Sequence, residues 1–357
     1  MSKHTIEDLK YKQRLPLEIK VEMTKRRIRE WVREFGIEGT YVSFSGGKDS
    51  TVLLHIVREI YPTIPAVFCD TGLEYPEIRE FVRTFDNVVW IKPKMNFKSV
   101  IEAYGYPFIS KEVSFALHSA KQFLQNKEKY ADKKPLPVQN ADDEYEPYAL
   151  LRLEGKIGKA DNGKGYSQFN CEKWHFMLDA PYNFGSKCCD IMKKQPFKMY
   201  GKETGRVPIT AQMASESRLR KKNWLMHGCN MFDAKKPMSN PMSFWTEQDV
   251  LRYIKENNIS IASVYGSVVY VDDEGNEYYE LLCTNHAFLT TTGLDRTGCM
   301  FCGYGCHLEK GKGRFEMMKE THPKQYNYIM KPWDEGGLGF KDVIDWMNEN
   351  GNLNIRY

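Results

Sequence analysis

The sequence predicts an α/β fold, a parallel sheet with flanking helices and a mixed C-terminal region, on three observations. Short β-rich segments alternate with amphipathic helical stretches between residues 39 and 91. A glycine loop, Ser45-Gly46-Gly47-Lys48-Asp49-Ser50, stands between the first strand and the helix after it. Two cysteine pairs, Cys188-Cys189 and Cys299-x-x-Cys302, lie outside this alternation. A βαβαβ order implies parallel strands with helices on both faces. Ligands of such sheets bind beyond the carboxyl ends of the strands.

Residues 5–36 read as helix, since Leu15, Ile19, Met23, Ile28 and Trp31 recur at spacings of three to five among charges. Gly39 to Phe44 is rich in β-formers and gives the first strand. Thr51 to Ile60 follows as a helix with Leu53, Ile56, Val57 and Ile60 on one face. Ile64 to Cys69 is the second strand and Asn87 to Ile91 the third. Between them Tyr75 to Phe85 is helical, with Pro76 in the first turn, where proline is tolerated. Residues 126–168 break the rhythm: Lys and Asp runs, Pro135, Pro137 and glycines at 155, 158, 163 and 165 read as a polar insertion or long loop, either a lid or a solvated excursion. Val207 to Thr210 reads as a further strand, and Thr246 to Asn257 as a helix capped by Thr246. The expected organisation is an N-terminal helical segment (1–37), a nucleotide-binding domain (38–257) carrying the insertion, and a cysteine-bearing region (258–357).

The chain has 357 residues, 41% hydrophobic and 13% aromatic, enough to pack a substantial core. A formal net charge of +4 is too mild to identify a nucleic-acid binder. The polar start, Met1-Ser2-Lys3-His4, lacks the apolar core of a signal peptide, and no apolar run nears the ~18 residues of a membrane span. The expectation is a cytoplasmic protein with no membrane partner. Disulfides are rare there, so nine cysteines, an odd number with one adjacent pair, point to metal or redox chemistry.

In the glycine loop, two glycines let backbone amides turn toward one point, and the following helix presents free N–H groups and its positive dipole end there. Such a nest holds phosphate or sulfate oxygens. Ser45 and Ser50 add hydroxyls and Lys48 a charge. Asp49 does not favour a bare anion; it suits Mg²⁺ or caps the helix. The loop is not a Walker A motif, because Asp49 follows Lys48 and position 42 is valine.

Four thiolates in two pairs suit tetrahedral zinc or a 4Fe–4S cluster. Adjacent side chains such as Cys188 and Cys189 reach one small ion only with strain, whereas a cubane offers separated corners, so the cluster is favoured on Cys188, Cys189, Cys299 and Cys302, with zinc the alternative. Cys306 is either a further ligand or a thiol beside the cluster. Cys69, Cys171, Cys229 and Cys283 read as buried small residues. Lys187, Lys193, Lys194 and Arg296 lie near the cysteines in sequence, with Arg296 the best candidate for a functional cation. The run Arg218, Arg220, Lys221, Lys222 reads as a solvated helix face, or as a nucleic-acid patch.

Ser45 to Ser50 resembles the SGGxDS signature of the PP-loop (adenine nucleotide α-hydrolase-like) superfamily. Within it, Asp70-Thr71-Gly72 with Pro76-Glu77 resembles the phosphoadenylyl-sulfate and adenylyl-sulfate reductase family. So do Ser110-Lys111-Glu112, Glu216-Ser217-Arg218, Trp245-Thr246-Glu247-Gln248-Asp249-Val250 with Tyr253-Ile254, and Val264-Tyr265-Gly266. The likeness covers roughly residues 38–305. It implies nucleotide binding by Ser45, Gly46, Gly47, Asp49, Ser50, Asp70 and Thr71, with Lys48, Asp49 and Arg296 as catalytic candidates. Cys188-Cys189 with Ile191, Lys193 and Pro196 resembles the CC…K…P segment of the cluster-bearing members, which implies the same 4Fe–4S assignment. The reductases carry a Glu-Cys-Gly-Leu-His tail with the catalytic thiol; here no cysteine follows Cys306. The resemblance therefore implies an enzyme that binds ATP or an adenylyl sulfate, with Mg²⁺, and cleaves ATP to AMP and pyrophosphate for sulfur transfer, served by a sulfur- or electron-donor protein. The alternatives are a sulfonucleotide reductase releasing sulfite, a nucleic-acid-modifying component of the phosphorothioation kind, and a non-catalytic nucleotide or redox sensor.

Overall fold

The computed structural model describes residues 3–139, 143–157, 167–280 and 287–357. Cys283 and the glycines at 158, 163 and 165 lie outside them. Helices α1 (Ile6–Gln13) and α2 (Leu17–Phe35) lead into β1 (Thr40–Ser43), α3 (Lys48–Ile60), β2 (Ala66–Cys69), α4 (Pro76–Arg83) and β3 (Val88–Ile91). Next come α5 (Phe97–Tyr104), β4 (Phe108–Ile109), α6 (Lys111–Gln125) and α7 (Tyr148–Leu153). They are followed by α8 (Gln195–Thr204), β5 (Val207–Ile209), α9 (Arg218–His227), β6 (Asn230–Met231), β7 (Met238–Ser239) and α10 (Glu247–Glu256). The remainder holds β8 (Val268–Val271), β9 (Glu277–Tyr278), β10 (Phe288–Thr291), β11 (Gly303–Tyr304), α11 (Arg314–Thr321), α12 (Pro323–Met330) and α13 (Phe340–Gly351). No helix among the described residues is long and apolar enough to cross a membrane.

Contacts divide the chain into two units, each assembled from two stretches: Met1–Lys94 with Lys193–Cys299, and Met95–Met192 with Met300–Tyr357. The first unit is built on a six-stranded sheet of order β3-β2-β1-β5-β7-β6. All neighbours are parallel except β6, which runs antiparallel to β7. The α/β class read from the sequence is therefore the observed one. Val42 pairs with Ala66 and Thr40 with Val207, so β1 is central and the chain crosses from one side of it to the other. The carboxyl end of β1 is thus a topological switch point, where open α/β sheets bind ligands. Val42, Phe44, Val52, Leu53, Ile56 and Phe68 are all buried around it, with Trp31 and Trp245 in the same core.

The expected helix over 5–36 is two helices. Pro16 has no N–H to continue α1 and stands at the N-cap of α2, where none is needed. Thr246 caps α10 as read, in a capping box with Asp249. In the second unit the stretch read as polar insertion contains α7, because Tyr-Ala-Leu-Leu-Arg-Leu buries Ala149, Leu150, Leu151 and Leu153 against its neighbours. Helix α6, N-capped by Ser110 through the Val113 amide (3.1 Å), packs on α7. Strands β4 and β11 pair in parallel, Gly303 opposite Phe108. A Cβ on Gly303 would stand 2.6 Å from the Phe108 ring, so only glycine lets these strands meet.

Candidate functional site

The glycine loop leaves β1 at the switch point and turns into α3. Gly46 has φ +71°, a left-handed conformation, and a Cβ there would lie 2.7 Å from Val82 and 2.8 Å from Ile78 of α4. The two serines lock the turn. Ser50 Oγ accepts from the Ser45 amide at 3.2 Å, lies 3.0 Å from Ser45 Oγ, and donates to the Gly47 carbonyl at 2.9 Å. Gly47 is the N-cap of α3 and offers no side chain to its first amides. Thirteen residues of helix dipole therefore end on an opening built for an anion.

The hydroxyl of Tyr265 stands at that opening. It takes hydrogen bonds from the backbone amides of Lys48 and Thr297, and lies 2.5 Å from Thr297 Oγ1. It also lies 3.3 Å from where a Gly47 Cβ would be. Lys48 is buried and does not face the loop's amides: its Nζ pairs with Glu247 at 2.7 Å and donates to the Asp295 carbonyl at 2.5 Å. Asp49 Oδ1 is buried and accepts no hydrogen bond among the described residues. Burial pushes the Asp49 carboxyl above its ordinary range; Lys48 and Arg296, and more weakly Arg220, pull the other way, while Glu247 adds to the rise. An unpartnered, half-sequestered carboxylate oxygen beside an anion nest is the donor a divalent cation uses. Lys48, Asp49 and Arg296 are thus brought into one electrostatic neighbourhood, and Glu247, Tyr265, Thr297 and Arg220 join them. The sequence places Arg220 only in a basic run and Glu247 and Tyr265 only within family-like segments, and it gives Thr297 no role, because all four arrive from distant segments.

At the ends of β1 and β2 a cavity of about 100 Å³ is walled by Phe44, Phe68, Ile78 and Phe197, with Ser45, Cys69, Glu74, Lys193 and Thr297 at its polar edge. Asp70 and Thr71 follow directly on β2. Asp70 pairs with Arg79 at 2.8 Å and accepts from the Gly72 amide at 3.3 Å, while Thr71 Oγ1 donates to Glu74 at 2.7 Å. Their side chains shape the turn after β2. Burial drives the Cys69 thiol up to about 12, with Glu74 adding to it.

The proposed metal ligands divide between the units. Cys299 closes the first, while Cys188, Cys189 and Cys302 belong to the second, as does Cys306. Cys188 and Cys189 precede the π-helical stretch Asp190–Lys194 that leads into α8. Within the second unit Cys188, Cys189 and Cys302 all act on the Tyr304 hydroxyl, whose pKa burial and these thiols raise. Cys302 feels Cys189, and its own pKa is raised by burial; Arg314 donates to its carbonyl at 2.8 Å. Burial lifts Cys306 to about 12. Among the described residues no three His, Cys, Asp or Glu side chains converge on a single metal ion. Arg314 and Lys111 act on the Cys302 thiol against its burial. Of the cysteines read as small residues, Cys69 and Cys171 are buried and Cys229 is partly so.

The sequence matches the family model described as phosphoadenosine phosphosulfate reductase domain over residues 39–127 and 156–303. Seventy residues are 39% identical to an uncharacterized protein of Methanocaldococcus jannaschii, covering 18% of this chain and 17% of that protein, so the match spans under a fifth of the relative's length. A crystal structure of phosphoadenylyl-sulfate reductase from Candida auris, a phosphate complex, is similar over 72% of this chain and 90% of that one, at 14% identity and a TM-score of 0.36. At that score no residues of the two sites are paired.

Proposed function

The chain belongs to the phosphoadenosine phosphosulfate reductase family of the PP-loop superfamily, and from that premise we propose that it binds ATP on the Ser45–Ser50 loop and cleaves it to AMP and pyrophosphate for sulfur transfer. The observation that carries this reading is Asp49. A carboxylate in an anion nest repels a bare sulfonucleotide, but it serves a metal-bound triphosphate. Asp49 Oδ1, buried and unpartnered, would hold Mg²⁺, which when bound offsets charge on the departing pyrophosphate. The amides of α3 receive that pyrophosphate, and Ser45 and Ser50 fix the loop that orients them. Lys48 and Arg296 stand close enough to act on the same charge. The cavity beyond β2, walled by Phe44, Phe68, Ile78 and Phe197, takes the nucleoside, while Asp70 and Thr71 hold the turn that follows β2.

The same proposal places a 4Fe–4S cluster on Cys188, Cys189, Cys299 and Cys302. It is supported by the two-pair pattern and by three of these thiols sharing the neighbourhood of Tyr304. When bound, such a cluster supplies a site for sulfur or a structural clamp. The chain's own part is to bury Cys188 and to balance Cys302 with Arg314 and Lys111.

The test is anaerobic purification with iron, sulfide and zinc analysis, then incubation with Mg²⁺ and either ATP, or adenylyl sulfate with a dithiol as two-electron reductant. Pyrophosphate and AMP from ATP, lost in Asp49→Asn, are expected. Sulfite from adenylyl sulfate without pyrophosphate from ATP would move the protein to the reductases. Tight nucleotide binding with neither product would make it a sensor. Zinc in place of iron would remove the cluster.

A further inference from the structure

The cavity at the ends of β1 and β2 measures about 100 Å³, well below the roughly 300–1,000 Å³ of pockets that enclose a drug-sized ligand. It has room for a base and leaves the sugar at its rim. The polar part of that rim has two ends of different chemistry. Ser45 and Thr297 mark the end at the glycine loop, where amides and hydroxyls suit a phosphate. Cys69, Glu74 and Lys193 make up the other end. A nucleoside with its phosphate on the loop and its base between the aromatic walls therefore turns its sugar toward Cys69, Glu74 and Lys193. Among the described lining residues Glu74 is the one carboxylate and Lys193 the one cation.

Glu74 is fixed in place. Its Oε1 accepts from Thr71 Oγ1 at 2.7 Å and its Oε2 from the Thr71 amide at 3.0 Å, and its side chain is only 9% exposed. These two donors leave acceptor capacity on a carboxylate that offers about four sites. Lys193 Nζ stands farther off, 3.9 Å from Oε1, on a side chain that is 42% exposed, so it is the looser partner. The Cys69 thiol beside them registers the balance of charge. Burial raises its pKa first and Glu74 second; Lys193 opposes them less strongly than Glu74 acts, and Asp70 and Cys299 add to the rise. The field along this end of the rim is therefore negative.

We propose that Glu74 makes this site selective for nucleotides with a free ribose diol, by accepting from the sugar hydroxyls and repelling a 3′-phosphate. The selectivity presupposes the nucleotide binding proposed for the glycine loop. An acidic side chain plays this part in dinucleotide-binding α/β folds, where an arginine serves when the sugar is phosphorylated. A 3′-phosphate is the group that separates phosphoadenylyl sulfate from adenylyl sulfate. Here it would meet a fixed carboxylate of like charge, with only Lys193, already set against Glu74, to offset it. The site thus admits ATP and adenylyl sulfate and rejects their 3′-phosphorylated counterparts.

The experiment titrates the full chain and a Glu74→Gln variant by calorimetry at fixed salt, with ATP, AMP, 3′-deoxyadenosine 5′-phosphate and adenosine 3′,5′-bisphosphate. The parent is expected to bind AMP at least about tenfold tighter than the bisphosphate, and about tenfold tighter than the 3′-deoxy analogue, as one hydrogen bond to a charged group provides. In Glu74→Gln, whose amide oxygen still accepts from Thr71, the penalty on the bisphosphate should fall several-fold and the preference over the 3′-deoxy analogue should shrink. If the variant does not fold, which a thermal melt reveals, the parent's own preference for AMP decides. Equal or tighter binding of the bisphosphate by the parent would overturn the exclusion and give this end of the rim to Lys193. Unchanged ratios in a folded Glu74→Gln would take the selectivity away from Glu74. ATP binding with AMP and the bisphosphate both silent would put the affinity in the phosphates and overturn the sugar contact. Silence from all four nucleotides would overturn the nucleotide reading of the loop itself, and the selectivity with it.

Discussion

Burial of Asp49 works against folding whenever the carboxylate is ionised. Its pKa in the folded chain lies above the ordinary carboxylate value, so the folded state prefers the protonated form. Stability is therefore present below the unfolded value, and is lost as pH rises through the folded one. Replacing Asp49 by Asn removes that penalty and the cation ligand together. Asp49→Asn is expected to melt higher at neutral pH, with the gain shrinking as pH falls toward the ordinary carboxylate range. Pyrophosphate release should fall about a hundredfold or more. Thermal melts at both pH values with and without Mg²⁺ check this: Mg²⁺ should stabilise the parent and leave the variant unmoved. A lower melting temperature in the variant would show that the cations around Asp49 outweigh its burial.

Tyr265 invites a second substitution. Its hydroxyl accepts from the Lys48 amide, the place a phosphate oxygen would take. Tyr265→Phe leaves that amide unsatisfied in the empty protein, at a cost of about 1–3 kcal/mol that an arriving anion would relieve. Pyrophosphate should then bind several-fold tighter by calorimetry, and weaker binding would make the hydroxyl a ligand of the phosphate instead. The loop that Tyr265 faces is legible in the sequence, because two glycines and two serines between a strand and a helix have few other uses. The part Tyr265 and Thr297 play there is not, since they come from segments more than two hundred residues downstream, and Tyr265 stands out only within a family-like segment. Lys48 shows the other limit: its identity suggests a phosphate contact, whereas Glu247 and the Asp295 carbonyl claim its ammonium.

Among elements, α10 carries Glu247 to Lys48, so whatever fixes α10 fixes the loop's charge. Two devices do so. The capping box of Thr246 and Asp249 starts the helix, and Asp249 also receives the buried Lys20 of α2 at 2.7 Å, whose Nζ donates to the Gln13 carbonyl as well. Lys20 is 2% exposed, so its removal would strand a carboxylate rather than return it to water. Lys20→Met is expected to cost about 3–5 kcal/mol, measured by urea unfolding. Lys20→Met/Asp249→Leu should recover much of the loss, and an unrecovered double variant would assign the loss to the cap instead. Strands β1, β2, β3 and β5 are readable because each is a compact apolar run between turns. The break at Pro16 is readable in principle, since a proline inside a helical pattern removes a donor. Helix α7 is hidden by its polar flanks: six residues give too few turns for periodicity to outweigh the Lys, Asp and Gly around them.

For the whole molecule, chain order conceals the division into units. Sequence composition shifts near residues 37 and 257, while contacts gather 1–94 with 193–299 and 95–192 with 300–357. A cut in chain order cannot express a unit closed by a distant C-terminal stretch. The second unit depends on that closure: Phe340, Val343, Ile344 and Met347 of α13 are fully buried, and the Tyr106 hydroxyl donates to the Leu338 carbonyl at 2.9 Å. Among the described residues the buried core cluster of the first unit, in contrast, ends at Tyr265, with Val268 packed against it. Ending the chain after Cys299 should therefore remove the buried apolar surface that holds 95–192 together, and leave the six-stranded sheet and its glycine loop intact. Limited proteolysis is expected to open sites between residues 95 and 192 in the shortened chain only, while a cooperative thermal transition and nucleotide binding persist. Loss of the cooperative transition as well would show that the first unit does not fold alone, and that the interleaving of the chain couples the two units energetically.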